Sequence, residues 1–288
     1  MKRSIFTAII CISVITLCNS CSSPADSQPA TAILGAFNKE VMMIEQQLTD
    51  KQQQRIEGMS FVTGKLHGGP VVVAWTGIGK VNAAMTTTLL IEHFKPRDII
   101  YSGIAGGVNP KLAPGDIVIA AETAHHDMGI LAEDGFYNRG VINPLDGDRN
   151  PVYLPADPRL LKLAEQAADQ VELEKIKTSV GERIPRIIKG IIVTGDVFVA
   201  SPAKCKELRE MLDADAVEME GAAVAQICYQ RQIPHLVVRS ISDKADETAR
   251  EDSMMFQEMA AKNSSTLITK LAELLASEPS VEKGKKLQ

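Results

Sequence analysis

Several things are scarce in this 288-residue chain, and each absence narrows what it can be. Beyond the first twenty residues, no apolar run approaches the roughly 18 residues expected of a bilayer-crossing helix. Of the five cysteines, Cys11, Cys18 and Cys21 crowd the N-terminus, which leaves only Cys205 and Cys228 in the body. Neither has the CxxC or Cys/His spacing that suits zinc, and nothing positive supports a disulfide between them. There is no GxxxxGK[ST] phosphate loop, and no GxGxxG followed by an acid about twenty residues on. Clustered basic residues are missing too. The chain holds 31 Lys and Arg against 36 Asp and Glu, a net charge of -5 that becomes -7 without the first twenty residues, where Lys2 and Arg3 lie with no acid. An acidic body of this kind argues against nucleic acid as a partner, because binding a phosphate backbone needs grouped Lys and Arg.

What remains has the composition of an ordinary globular protein, with 45% hydrophobic and 23% charged residues, and a single α/β domain can fill the length. The N-terminus reads as a signal peptide over residues 1–20: Lys2-Arg3 precedes an apolar run of thirteen residues, Ile5 to Leu17. Cys21 follows a small residue and precedes a Ser/Pro/Ala/Asp stretch, a pattern similar to a bacterial lipoprotein cleavage site, with Cys18 standing where an apolar residue is usual. The expectation is export, with lipidation at Cys21 anchoring a periplasmic or cell-surface protein. Ordinary secretion with cleavage nearby is the alternative. Residues 21–30 then form a polar tether, 31–276 the folded domain, and 277–288 a charged tail without apolar periodicity.

Within the domain, strand-like and helix-like segments alternate. Strands are predicted at 32–36, 71–76, 98–102, 116–121, 187–194, 214–219 and 235–241. Runs such as Val71-Val72-Val73-Ala74-Trp75 suit strands buried on both faces. Helices are predicted at 81–93, 203–212, 221–230 and 253–276, and from Asp157-Pro158, which supplies an N-cap and an N1 proline ahead of Leu160, Leu163, Ala164, Ala167 and Val171. Alternation of this kind predicts a single α/β domain with a central, mostly parallel twisted sheet and helices on both faces. Ligands gather at the C-terminal ends of the strands in such sheets. The stretch from Ile130 to Ala156 lacks clear periodicity and reads as a long functional loop.

Four predicted strand ends carry polar chemistry. In Ile33-Leu34-Gly35-Ala36-Phe37-Asn38-Lys39-Glu40 a glycine turn leads to an acid in the first turn of a helix, where Glu40 serves either a reaction or simply the macrodipole. Thr76-Gly77-Ile78-Gly79-Lys80 and Ser102-Gly103-Ile104-Ala105-Gly106-Gly107 let backbone N–H groups approach a sugar or anion, unless they are only tight turns. In Val217-Glu218-Met219-Glu220-Gly221, residues 218 and 220 would point to the same side of a strand. Two such carboxylates are costly to bury unless a ligand or cation satisfies them, and a ribose diol can donate two hydrogen bonds to one carboxylate. A solvated strand end is the alternative. Finally Arg239-Ser240-Ile241-Ser242-Asp243 ends an apolar strand with an acid beside a hydroxyl and a guanidinium, an arrangement suited to proton transfer unless Asp243 merely caps the next helix. His125-His126-Asp127 also follows a strand, but without a third ligand at motif spacing it reads as structural.

Taken in order, Gly-Ala-x-x-x-Glu, Thr-Gly-Ile-Gly-Lys, Gly-x-Ala-Gly-Gly, Pro-Gly-Asp, Thr-Gly-Asp-x-Phe, Val-Glu-Met-Glu-Gly-Ala-Ala and Arg-x-Ile-Ser-Asp make residues 31 to about 276 resemble the methylthioadenosine/S-adenosylhomocysteine nucleosidases of the nucleoside phosphorylase superfamily. The resemblance implies hydrolysis of a purine N-glycosidic bond with no cofactor and no metal. It implies that Asp243, helped by Ser242, protonates the purine at N7, and that Glu40, with Arg239 nearby, orients and deprotonates the attacking water. Glu220 and Met219 would hold the ribose, with Glu218 among the substrate contacts. Phe198 would stack on the base, Val199 would offer backbone contacts, and Ala105 and Gly106 would line the sugar side. A homodimer is implied as well, the 130–156 loop of one copy closing the neighbour's site. The chemistry needs these types: a purine anion leaves poorly unless protonated, and an oxocarbenium-like sugar is favoured by nearby anions.

Two positions depart from the family pattern. Ile104 stands where a Ser is common, and Ser253 lies near a usual aromatic, with Met254, Met255 and Phe256 close by. Rival readings are a phosphorylase, which would need cationic groups for phosphate, a futalosine-type hydrolase, and a non-catalytic binding or storage protein on the same fold.

Overall fold

The computed structural model of the protein describes residues 30–178 and 181–278. The leader, Cys21, most of the tether, the tail beyond 278 and the side chain of Glu40 lie outside the described parts. Along the chain run β1 (Thr31–Gly35), α1 (Asn38–Gln46), β2 (Thr49–Ile56), β3 (Met59–Leu66), β4 (Gly69–Trp75), α2 (Lys80–Phe94), β5 (Asp98–Gly107), β6 (Ile117–His125), β7 (Gly129–Ala132), β8 (Gly135–Asn138), β9 (Tyr153–Pro155), α3 (Pro158–Ala168), β10 (Ile176–Thr178), β11 (Gly181–Arg183), β12 (Ile187–Thr194), α4 (Pro202–Leu212), β13 (Ala216–Glu218), α5 (Gly221–Arg231), β14 (His235–Asp243) and α6 (Ala249–Ala276). Each predicted strand and helix has its counterpart here. The α3 start follows the expected chemistry, with Asp157 accepting from the backbone N–H groups of Arg159 and Leu160 ahead of Pro158 at the first turn.

The main sheet has the order β13-β12-β6-β14-β5-β1-β4-β3-β2, with β9 on β6. Apolar side chains alternate across it. On one face α2 and α5 bury Ala83, Leu90, Val224 and Cys228 against Val72, Ile99, Tyr101 and Val237. On the other, α1, α3 and α6 bury Ile44, Leu160, Leu267 and Leu271 against Ile33, Val73, Ile100 and Val238. Neighbours such as Ile99 and Ile100 therefore serve opposite cores, which is why these strands read as unbroken apolar runs.

The sheet is more mixed than the expected mostly parallel one. Its ladders are parallel for β1–β4, β1–β5, β5–β14, β6–β12 and β12–β13. They are antiparallel for β2–β3, β3–β4, β6–β14, β6–β9 and β5–β13. Because β13 pairs with both β12 and β5, one end of the sheet curls back on itself. Bulges at Gly190/Ile191 and Ile241/Asp243 accompany this curvature. The β2–β3 strands were not anticipated, because β2 (TDKQQQRI) is polar and exposed along almost its whole length. Their turns are nevertheless legible in hindsight: Glu57-Gly58 and His67-Gly68 both take positive φ at two successive residues, the requirement of a type I′ hairpin.

The stretch expected as a long loop is partly ordered as a β7–β8 hairpin and as β9 docked on β6. It exposes Ile130, Leu131, Tyr137, Ile142 and Leu145. Cys205 and Cys228 are free thiols. Among the described residues no helix is long and apolar enough to cross a membrane.

Candidate active site

The polar strand ends converge where β5, β12, β13 and β14 terminate. A cleft there is lined by Gly106, Val197, Phe198, Val199, Val217, Glu218, Met219 and Asp243. Phe198 is 54% exposed while Val199 beside it is buried, so the ring stands free at the cleft edge on an anchored backbone.

Asp243 is the last residue of β14 and is buried. The β14–β5 ladder skips Ser242, pairing Ile241 with Ala105 and Asp243 with Gly106. Ser242 Oγ donates to Asp243 Oδ2 at 2.7 Å, and the Ala245 backbone N–H donates to Oδ1 at 2.8 Å. Ser242 Oγ also lies 3.4 Å from the Ala105 carbonyl. Burial pushes the Asp243 carboxyl above the usual aspartate range; the bonds from Ser242 and Ala245 pull it back in part, and the negative charges of Asp252 and Asp246 push it up again. A buried carboxyl whose hold on its proton is strengthened by burial, at the edge of a cleft beside an exposed aromatic, is suited to act as an acid.

Glu218 and Glu220 were expected on one side of a strand, both toward substrate. The structure separates them, because β13 ends at Glu218 and the backbone of Glu220 leaves the extended region. Glu218 instead serves the protein. Its Oε2 accepts from Arg239 Nη2 at 2.6 Å and Nε at 3.2 Å, and from the Glu220 N–H at 3.1 Å. The Gly221 N–H reaches both carboxylate oxygens, and the Thr194 hydroxyl donates to Oε1 while accepting from the Ala222 N–H. Glu218 thus caps the start of α5 and neutralises a buried arginine, which leaves little of its carboxylate for a ligand. Glu220, also buried, turns the other way: its Oε1 accepts the Gly79 N–H at 2.8 Å. Gly79 has φ 94, a conformation that glycine alone adopts without cost.

Arg239 is 1% exposed. Besides Glu218 it donates through Nη1 to the carbonyls of Tyr101 and Val238, and its guanidinium lies 4.2 Å from the centre of the Tyr101 ring. A further contact holds the glycine loop. Lys80 Nζ donates to Asp127 Oδ1 at 2.6 Å, the Lys80 N–H donates to Asp196 Oδ1 at 2.8 Å, and the Asp196 N–H donates to Asp127 Oδ2 at 2.9 Å. The acid of the His125-His126-Asp127 run is therefore a clasp between the loops after β4 and β12. His125 Nε2 pairs with Gln226, and burial pushes its ring pKa down to about 4.

Sequence reasoning had no role for Tyr101, Thr194, Asp196 or Lys80. Three of these, Thr194, Asp196 and Lys80, lie within the Thr-Gly-Asp-x-Phe and Thr-Gly-Ile-Gly-Lys motifs at strand ends. Tyr101 carried its own signal, a hydroxyl directly after the apolar pair Ile99-Ile100 in a strand read as buried, where it needs a partner.

A family model for the phosphorylase superfamily matches residues 30–275. A 5'-methylthioadenosine/S-adenosylhomocysteine nucleosidase from Anoxybacillus flavithermus is 38% identical over 238 residues, 82% of this chain and 95% of that protein. The crystal structure of the Neisseria meningitidis enzyme of that name, in complex with methylthio-immucillin-A, is 32% identical with a TM-score of 0.73, over 85% of this chain and 99% of that one. The futalosine hydrolase of Helicobacter pylori is 30% identical with a TM-score of 0.74, over 86% of this chain and 98% of that one. The chain belongs to the phosphorylase superfamily and, within it, to the 5'-methylthioadenosine/S-adenosylhomocysteine nucleosidases.

Proposed function

We propose that the protein hydrolyses the N-glycosidic bond of 5'-methylthioadenosine, S-adenosylhomocysteine or both, releasing adenine. The observation that carries this reading is Asp243: a buried carboxyl with a raised pKa, bordering the same cleft as Phe198, Val199 and Met219. In this reading the base stacks on Phe198 and bonds to the Val199 backbone. Asp243 gives its proton to N7 as the bond to the sugar stretches, Met219 and Glu220 hold the ribose, and Ala105 and Gly106 line its other side. Glu40 activates the water that captures the oxocarbenium-like sugar. Water is favoured over phosphate as nucleophile because the buried guanidinium of Arg239 is already engaged by Glu218 and two carbonyls.

The test is adenine release from purified protein lacking residues 1–21, offered methylthioadenosine, S-adenosylhomocysteine and futalosine without phosphate. Adenine and the free thioribose sugar are expected, unaffected by chelator. A strict phosphate requirement would overturn the hydrolase reading, and base release from futalosine alone would move the substrate assignment.

The same reading places the enzyme outside the cytoplasm as a lipoprotein anchored at Cys21. Membrane-fraction protein that is released or left unprocessed by Cys21→Ser is expected; a soluble cytoplasmic protein keeping residues 1–20 would refute it. It also includes a homodimer. The exposed Ile130, Leu131, Tyr137, Ile142 and Leu145 support this, since apolar residues gathered on one segment suit burial against a second copy. Sedimentation should give a dimer, and an active monomer at working concentration would remove this part.

A further inference from the structure

Tyr101 touches both halves of the site from below. Its side chain is fully buried in β5. The ring face lies under the guanidinium of Arg239 at 4.2 Å, and the residue's own carbonyl accepts from Arg239 Nη1 at 3.2 Å. At its other end, the Tyr101 hydroxyl is 3.0 Å from Thr76 Oγ1. Thr76 Oγ1 lies 2.9 Å from the Gly77 carbonyl, to which it can only donate, so the tyrosine hydroxyl donates to the threonine. Thr76 opens the loop that carries Gly79, whose N–H holds Glu220 at 2.8 Å. Arg239 in turn binds Glu218, whose Oε2 accepts the N–H of Glu220. Contacts therefore run from Tyr101 to Glu220 by two routes, one through Thr76 and Gly79, the other through Arg239 and Glu218.

We propose that Tyr101 is a positioning residue with two separable arms: its hydroxyl sets the Thr76–Gly79 loop that orients Glu220 for the sugar, and its ring face sets Arg239 on the water side of the reaction. The proposal rests on the nucleosidase reading above. Ring and hydroxyl can be removed independently, so the arms make different predictions. Tyr101→Phe keeps the ring under Arg239 and removes only the hydroxyl. It raises KM and weakens a non-cleavable nucleoside analogue by about 5-fold, the scale of one hydrogen bond, with kcat nearly unchanged. Tyr101→Leu removes the aromatic face as well and lowers kcat by about 30-fold, the scale of a desolvated cation–π contact. Thr76→Val removes that same contact together with the threonine's own bonds to the Gly77 and Gly35 carbonyls, so it weakens the analogue at least as much, and Tyr101→Phe combined with Thr76→Val is no worse than Thr76→Val alone.

The experiment measures kcat and KM for adenine release, affinity for the non-cleavable analogue, and thermal melting for the parent and these variants. A KM-selective effect of Phe, non-additive with Thr76→Val, together with a kcat-selective effect of Leu, supports the proposal. Equal changes in kcat and KM across the variants, full additivity of Phe with Val, or no change in folded variants of an active parent overturns it. If Leu does not fold, the Phe and Val pair still decides the hydroxyl arm. A parent that releases no adenine refutes the nucleosidase reading instead, and analogue affinities across the set then score the hydroxyl arm separately.

Discussion

Gly106 and Asp243 face each other across the β5–β14 ladder so closely that a β-carbon on Gly106 would stand 2.9 Å from Asp243 Oδ1 and 3.0 Å from the Ala245 side chain. The glycine gives the carboxyl its place. Gly106→Ala must push Asp243 or the 243–245 turn aside, and a displacement of about 1 Å in a reacting group can cost roughly 10²-fold. A fall of that order in kcat is expected while circular dichroism shows the fold retained. Unaltered turnover would mean that Asp243 does not act from this position.

Asp243→Asn keeps the size and most hydrogen bonds of the side chain but has no acidic proton to deliver. Its kcat should fall by roughly 10²–10⁴-fold, with affinity for a non-cleavable analogue little changed. Glu40→Gln should likewise reduce kcat more than affinity. Glu220→Ala should weaken the analogue itself, by about 1.5–3 kcal/mol for a charged hydrogen bond. Kinetics and calorimetry on the three variants separate these roles, and near-normal turnover in Asp243→Asn would sink the mechanism.

Glu218 should behave as part of the frame. Glu218→Ala strands Arg239, which is almost wholly buried, and removes the cap of α5. Breaking one side of a buried ion pair typically costs about 3–5 kcal/mol, so a large drop in melting temperature is expected whether or not substrate is present. A stable Glu218→Ala protein with selectively lost affinity would return this residue to the substrate contacts.

The raised Asp243 pKa fixes the sign of a pH effect. In the interval above the ordinary aspartate value the folded chain holds more protons than the unfolded one, so this group's contribution to stability is present at low pH and is lost as pH rises through the folded value. Asp243→Asn should therefore be more stable than the parent at neutral pH, with the gap closing in acid. Activity that depends on the acid form should fall as pH rises. Melting curves for both proteins across pH 4 to 8 test the first point, and a gap that widens in acid would reverse the assignment.

His125 works in the opposite direction. Burial and the nearby Lys80 charge lower its pKa from 6.5 to about 4, so the unfolded chain takes up a proton that the folded one refuses. Stability should decline as pH falls from about 6.5 towards 4, by on the order of 3 kcal/mol from this ring at most. His125→Gln should flatten that part of the pH–stability curve, and an unchanged slope would show that the ring is not the cause.

Much of this molecule was determined by local sequence. Buried stretches such as Val71–Ala74 and Ile99–Tyr101 are apolar on both faces because helices cover both sides of the sheet. The α3 helix begins where Asp157-Pro158 supplies a cap and a preset φ. The motifs at strand ends announced where the cleft would form, because parallel strands present their C-terminal ends to one edge. The polar β2 strand was hidden for the converse reason: it is a largely exposed edge strand held by backbone pairing to β3 and by the I′ turn at Glu57-Gly58 rather than by an apolar pattern. Only the tertiary structure decided how the acids are used. Spacing alone put Glu218 and Glu220 on one side, but the strand ends between them, and the pull of a buried Arg239 and of the buried N-terminus of α5 draws Glu218 inward while Gly79 holds Glu220. That choice depends on which groups from β4, β12 and β14 arrive at the same place, and burial then sets the protonation of Asp243, a property that no neighbouring residue in the sequence encodes.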